Sequence, residues 1–149
     1  MPTTIRITTT LPATPEAVWR RLSQVDTLRY IARPYAYFTP LEPMTQWAQG
    51  AAYVLSLRVF GLLPLGRHHI RVVRWDQDAL EILTHEHNRF VKTWNHAITL
   101  EALPDGRTRF TDAVTLDAGA FTGLARLWSI AFYRHRQRKW RKLLCKTQS

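Results

Sequence analysis

The residues best equipped for chemistry crowd into Thr84–His96, THEHNRFVKTWNH, with three histidines and one glutamate in thirteen residues. Metal ligation, acid–base catalysis and the polar lining of a binding site all use such groups. His85 and His87 form an H-x-H pair, which on a strand puts both imidazoles on one face and is a legitimate metal spacing. A closed metal site needs further ligands on that face, and the glycine and glutamate spacing of cupin metal sites is missing. No metal is expected there, and surface histidines near a strand end are the better reading.

Side-chain alternation separates the histidines. In ALEILTHEH, Leu80, Ile82, Thr84 and Glu86 make the more apolar face, so His85 and His87 go to solvent. In VKTWNHAITLE, Trp94, His96, Ile98 and Leu100 share the apolar face, and His96 points inward. The turn Pro104-Asp105-Gly106 has the pattern of a type I turn with a glycine bulge and fixes the next register. It pairs Leu103 with Arg107, Leu100 with Phe110, Ile98 with Asp112 and His96 with Val114. Thr108, Phe110, Asp112, Val114 and Leu116 then face inward, and His96 and Asp112 are diagonal neighbours about 7 Å apart. An acid among apolar neighbours is costly unless paired, and His96 is its natural partner. The strand GRHHIRVVRW turns His68, Ile70 and Val72 inward, with His68 near Thr84 or Glu86. His96 and Asp112 are the catalytic candidates. The ligand-binding candidates are His68, Thr84, Glu86, Trp94, His96, Ile98, Phe110, Asp112 and Val114, joined by Leu124 and Trp128 from a helix.

These strands sit in a simple order. IRITTTL alternates as a strand, and Thr14-Pro15-Glu16 starts a short helix with a capping hydroxyl, proline at the first position and an acid facing the dipole. Val18, Trp19 and Leu22 are its buried face. A second helical turn covers Asp26 to Ile31 and stops before Pro34. Strands follow at YAYFTP, GAAYVLSLRVFG, GRHHIRVVRW, ALEILTHEH, VKTWNHAITLE and RTRFTDAVTL, with LLPL expected as a loop between the second and third. After Gly119 the hydrophobic period changes to 3.6, and one helix runs from Phe121 to about Lys146, roughly 39 Å long. The fold class is α+β: a curved antiparallel sheet closed by a long C-terminal helix, with a cavity between them.

Three segments carry a family resemblance: the first strand with LPATPEAVWRRL, the strand KTWNHAITLE, and RTRFTDAVTLDAG leading to FYRHRQRKWRKLL. Over almost its whole length the chain resembles the SRPBCC superfamily, which includes START-like lipid-binding proteins and polyketide cyclases, and bacterial ligand-binding members of unassigned function in particular. The resemblance implies a helix-grip fold with a hydrophobic cavity. It supplies no universal catalytic residue for His96 or Asp112 to inherit.

Composition bounds the rest. At 149 residues, a single domain over 1–149 is expected, with a core large enough to need no disulfides. Cys145 is the lone cysteine, and no cofactor motif is present. The opening residues do not read as a signal peptide and no tract is long enough to span a bilayer, so a cytoplasmic location is expected. The net charge of +10 favours anionic partners. Seven cations without an acid (Arg134, Arg136, Arg138, Lys139, Arg141, Lys142 and Lys146) read first as a solvated helix end. They also imply weak attraction to polyanions or acidic membranes, without a specific nucleic acid. In the long helix Phe121, Leu124, Leu127, Trp128, Ala131 and Phe132 form the stripe expected to cover the cavity. Ile130, Tyr133, Trp140 and Leu144 lie on another face, which leaves packing against a loop or a homodimer open. FGLLPLG is expected to expose Leu62, Leu63 and Leu65 as a gate or as ordinary loop packing. The leading function is binding or carriage of a small hydrophobic ligand of lipid, polyketide or isoprenoid type. The alternatives are a cyclase or hydrolase-like enzyme using His96 and Asp112, and a polyanion- or membrane-surface protein acting through the basic helix.

Overall fold

A computed structural model describes residues 2–148, with side chains through Cys145; the side chain of Lys146 lies outside the described residues. The chain runs β1 (Thr3–Leu11), α1 (Pro15–Leu22), α2 (Val25–Ala32), β2 (Ala36–Pro40), β3 (Ala52–Val59), β4 (Leu63–Asp76), β5 (Glu81–His87), β6 (Thr93–Ala102), β7 (Thr108–Asp117), a 3-10 turn (Gly119–Phe121) and α3 (Thr122–Gln148). The strands form one antiparallel sheet in the order β1-β7-β6-β5-β4-β3-β2. β2 to β7 are a meander, and β1 closes on β7. This is the helix-grip fold.

Local chemistry sets the boundaries. The Thr14 hydroxyl accepts from Ala17 N at 3.3 Å, with Pro15 in the first turn of α1. α2 ends where Arg33, ahead of Pro34, takes extended backbone angles. The β6–β7 hairpin has the register read from its turn, with His96 opposite Val114 and Ile98 opposite Asp112. Gly106 supplies the positive φ of 85° that the turn requires.

LLPL is not a loop. Leu63, Pro64 and Leu65 belong to β4, and the connection shrinks to a tight turn in which Phe60 and Gly61 both have positive φ. Two consecutive positive φ values match the twist of a hairpin, so the strands pair up to the turn. Proline is tolerated because β5 pairs with β4 only from His69 onward, so Pro64 has a strand on one side alone. Register shifts between Leu57 and Arg58 and between Val72 and Arg74 mark bulges, which curve the sheet.

α3 lies over the β1–β7 side of this sheet. Arg126 donates to Thr3 Oγ1 and Thr4 O, Gln137 to Ile7 O and Arg141 to Thr9 Oγ1. Only part of the stripe expected from hydrophobicity packs inward. Phe121, Leu124 and Leu127 are exposed, whereas Phe132, Tyr133, Arg136, Gln137, Trp140 and Leu144 are buried. The first turns overhang the end of the sheet, and the inward face carries polar residues that a reading of apolar spacing assigns to solvent. Trp140 and Leu144 therefore pack in the chain's own core with Leu11, Val18, Trp19 and Phe110. No described helix is long and apolar enough to cross a membrane.

Candidate functional site

Because α3 covers β7 and β1, the inner face of β3 to β6 is left under a vault. The resulting cavity has a volume of about 590 Å³. Its walls are largely apolar: Leu57 of β3, Ile70 of β4, Ile82 of β5, Ile98 of β6, Leu28 and Ile31 of α2, and Trp128 and Phe132 of α3. Leu63, Phe90, Phe121 and Leu124 line it and are also exposed, so they form an apolar rim at an open end. The rim joins the start of β4, the β5–β6 loop, the 3-10 turn and the first turn of α3. Leu65 lines the cavity as well, whereas Leu62, at 84% exposure, stands outside it.

Two hydrogen-bonded clusters interrupt the apolar surface. His96 Nε2 lies 2.7 Å from Asp112 Oδ1, and Asp112 Oδ2 accepts from Gln137 Nε2 at 3.1 Å. Asp112 is 1% exposed and does not line the cavity, whereas His96 does. The acid sits behind the imidazole and fixes its orientation. With Nε2 committed to Asp112, Nδ1 is the nitrogen left to meet a ligand.

The second cluster is on β4 and β5. Asn88 Oδ1 accepts from the backbone N–H groups of Phe90 and Val91, both at 2.9 Å. The amide orientation is thereby fixed, so Asn88 Nδ2 donates to His68 Nδ1 at 3.1 Å. The ring hydrogen of His68 must then be on Nε2, which points 2.7 Å from Glu86 Oε1. Glu86 Oε2 accepts from the Thr84 hydroxyl at 2.6 Å. Burial pushes the Glu86 carboxyl up, but the His68 hydrogen bond, attraction to the His68 and His96 rings in their protonated forms, and the Thr84 hydroxyl outweigh it, and the net shift is downward. Burial also holds the Tyr133 phenol, which accepts from Trp94 Nε1 at 2.9 Å, far above the ordinary tyrosine range.

The depressed Glu86 value has a measurable sign. An acid with a folded pKa below the ordinary value of 4.5 stabilises the fold above that value, and the contribution disappears as pH falls through the folded value. Glu86→Gln is therefore expected to be less stable than the parent at neutral pH and to approach it as pH falls below the ordinary carboxylate value and through the lowered one. Urea midpoints across that range would read the difference; parallel curves would show that Glu86 contributes no pH-linked stability.

The structure brings eight of the candidate residues to the cavity wall: His68, Thr84, Glu86, Trp94, His96, Ile98, Leu124 and Trp128, with Leu124 at the rim. Phe110, Asp112 and Val114 are not on it. They are on the inward face of β7 as the register requires, but α3 fills that face; Phe110 packs on Trp140 with ring centroids 5.5 Å apart. His85 and His87 are exposed on the outer face, where His87 stacks on His69 at 4.7 Å. No group of three or more potential metal ligands occurs among the described residues.

Sequence reasoning missed Asn88, Phe38, Trp47, Tyr133 and Arg136, all on the cavity wall. Asn88 had a signal, since Asn at the head of a short strand connection commonly bonds the backbone two residues on. Arg136 was hidden in the run of cations. It is 5% exposed, so the run is not a uniformly solvated helix end. Lys139 lies over the Tyr30 ring at 4.3 Å, and Arg134, Arg138 and Lys142 remain on the outside.

Comparison with known proteins agrees with this geometry. A family described as a domain of unknown function (DUF8410) matches residues 9–144. The chain belongs to it. No curated protein matches the sequence of this DUF8410 member. Among solved structures, protein CV1439 from Chromobacterium violaceum superposes with a TM-score of 0.72 at 18% identity, covering 95% of this chain and 96% of its own. The Zhui aromatase/cyclase from Streptomyces sp. R1128 gives 0.69 at 17% identity, covering 97% and 92%. Ara h 8.0201 gives 0.64 at 14%, covering 94% and 98%. At these identities the likeness establishes the shared fold, the one that the SRPBCC resemblance implies.

Proposed function

We propose that this DUF8410 chain binds and carries a small, mostly apolar molecule of lipid, polyketide or isoprenoid type between its sheet and α3. The observation that carries the reading is the cavity of about 590 Å³ with an apolar wall and an exposed apolar rim. A fold that only needed a core would fill this space, because interiors are otherwise close-packed and each void forfeits contacts. The size is that of a typical small-molecule site, with a few polar groups set in apolar walls. An aromatase/cyclase of the same fold supports the same class of ligand.

Five of the six tryptophans line the cavity (Trp47, Trp75, Trp94, Trp128 and Trp140), which provides the test. Saturable quenching of tryptophan emission by apolar probes is expected, and Ala125→Phe at the mouth is expected to weaken it at least tenfold without loss of fold. Native mass spectrometry should find a small molecule that co-purifies. An absence of saturable binding across fatty-acid, flavonoid and isoprenoid probes, with nothing co-purified, would remove the proposal.

A second reading makes the protein a cyclase or hydrolase-like enzyme. It is favoured by one feature: His96 faces the cavity while a buried carboxylate holds its far nitrogen, the arrangement of a general base with its orienting acid. In that case His96→Gln should retain binding and lose turnover by about a hundredfold or more.

A further inference from the structure

Arg136 belongs to neither cluster. It lies on the inner face of α3, is 5% exposed, and lines the cavity. Its guanidinium carbon sits 5.5 Å from the Phe132 ring centroid and 5.0 Å from that of Tyr133. These rings hold the group through its face and take none of its N–H donors. Among the described residues Arg136 Nε has no hydrogen-bond partner, and no ion pair includes Arg136. The two buried acids nearby are already engaged: Glu86 with His68 and Thr84, and Asp112 with His96 and Gln137.

A buried guanidinium without a counter-charge is costly, and arginine is the residue best shaped for planar anionic oxygens. The rest of the helix roof has the same polarity. Trp128 Nε1, two turns before Arg136, and Trp140 Nε1, one turn after it, are also buried donors without partners among the described residues. Both side chains line the cavity. The roof therefore offers donors that an occupant carrying acceptor oxygens would satisfy.

We propose that the molecule held in this cavity carries an anionic oxygen group, a carboxylate or a phosphate, and that Arg136 is the side chain that binds it. The inference rests on the carriage reading and names its ligand class: an apolar body with an acidic head. The head docks against the guanidinium, and the body fills the space beneath α2 and the strands.

The test compares ligands of equal chain length on the intact protein. Dodecanoic acid, dodecyl phosphate, dodecanol and methyl dodecanoate would each displace an environment-sensitive apolar probe. The acid or the phosphate is expected to bind about tenfold to a hundredfold more tightly than the alcohol and ester, as for a hydrogen-bonded charge. Whichever of the two is tighter identifies the head group. Arg136→Met should abolish the preference, so that acid, phosphate and alcohol bind that variant alike, and Arg136→Lys should restore part of it. Equal binding of acid, phosphate and alcohol by the parent protein overturns the proposal and leaves carriage standing; this arm needs no variant to fold. A preference that survives in Arg136→Met overturns it too. Failure of all four ligands to displace a bound probe overturns the proposal as well, whereas failure of the probe itself to bind counts against the carriage reading.

Discussion

Asp112→Ala is expected to destabilise the fold by about 2–5 kcal/mol, because it leaves two buried hydrogen-bond partners unsatisfied at about 1–3 kcal/mol each. Asp112 is 1% exposed and satisfies two buried partners, His96 Nε2 and Gln137 Nε2. Its loss strands both, and Gln137 is also a bridge from α3 to β1 through Ile7 O. Replacing both ends of the pair, as in His96→Leu/Asp112→Leu, should cost less than the sum of the single changes, because no buried polar group is left facing the vacancy. Urea unfolding followed by far-UV circular dichroism would measure both. A single variant within about 1 kcal/mol of the parent would mean that the pair holds little of the fold together. Asp112 holds the cavity-facing His96 in place, so a fall in ligand affinity beyond the loss of folded protein would report that orienting role.

Trp140→Ala is expected to cost about 3–5 kcal/mol, as large-to-small changes at fully buried aromatics do. Trp140 is fully buried and joins α3 to Phe110 on β7 and to the α1 cluster. Trp140→Phe is the informative companion. It removes volume but also removes an indole N–H that lacks a partner among the described residues, and relief of that donor offsets part of the lost packing. The phenylalanine variant should therefore lie within about 1.5 kcal/mol of the parent. If the phenylalanine and alanine variants lose equal stability, the indole N–H is satisfied in solution and the packing account is incomplete.

Much of the sheet was legible because strand parity and one glycine turn determine it. Pro104-Asp105-Gly106 was enough to pair β6 with β7 and to predict that His96 meets Asp112. Parity likewise sent His85 and His87 outward and His68 toward Glu86. The lateral placement of α3 was not legible. Whether a helix lies over β7 or over β4 depends on side-chain contacts such as Gln137 with Ile7 O, which have no periodic signature. Phe110, Asp112 and Val114 were therefore assigned to the cavity when they belong beneath the helix. For the same reason apolar spacing leads to Phe121, Leu124 and Leu127, which are exposed, as well as to the buried Phe132, and it sets Tyr133, Trp140 and Leu144 on another face without showing that Arg136 and Gln137 join them on the inward side. Leu63 to Leu65 read as a loop because proline usually ends a strand; here the shortness of β5 removes the partner that proline would have offended.

Asn88 ties the lip of the cavity to its interior. The same side chain clamps the backbone at Phe90 and Val91, both on the wall near the opening, and points its amide hydrogen at His68, which passes the bond to Glu86. An occupant whose own donor claims His68 Nδ1 would displace that amide. Turning the amide over to avoid the clash would set its NH₂ against two backbone N–H groups and release the lip. The lip and the deep wall are thus joined through a single side chain.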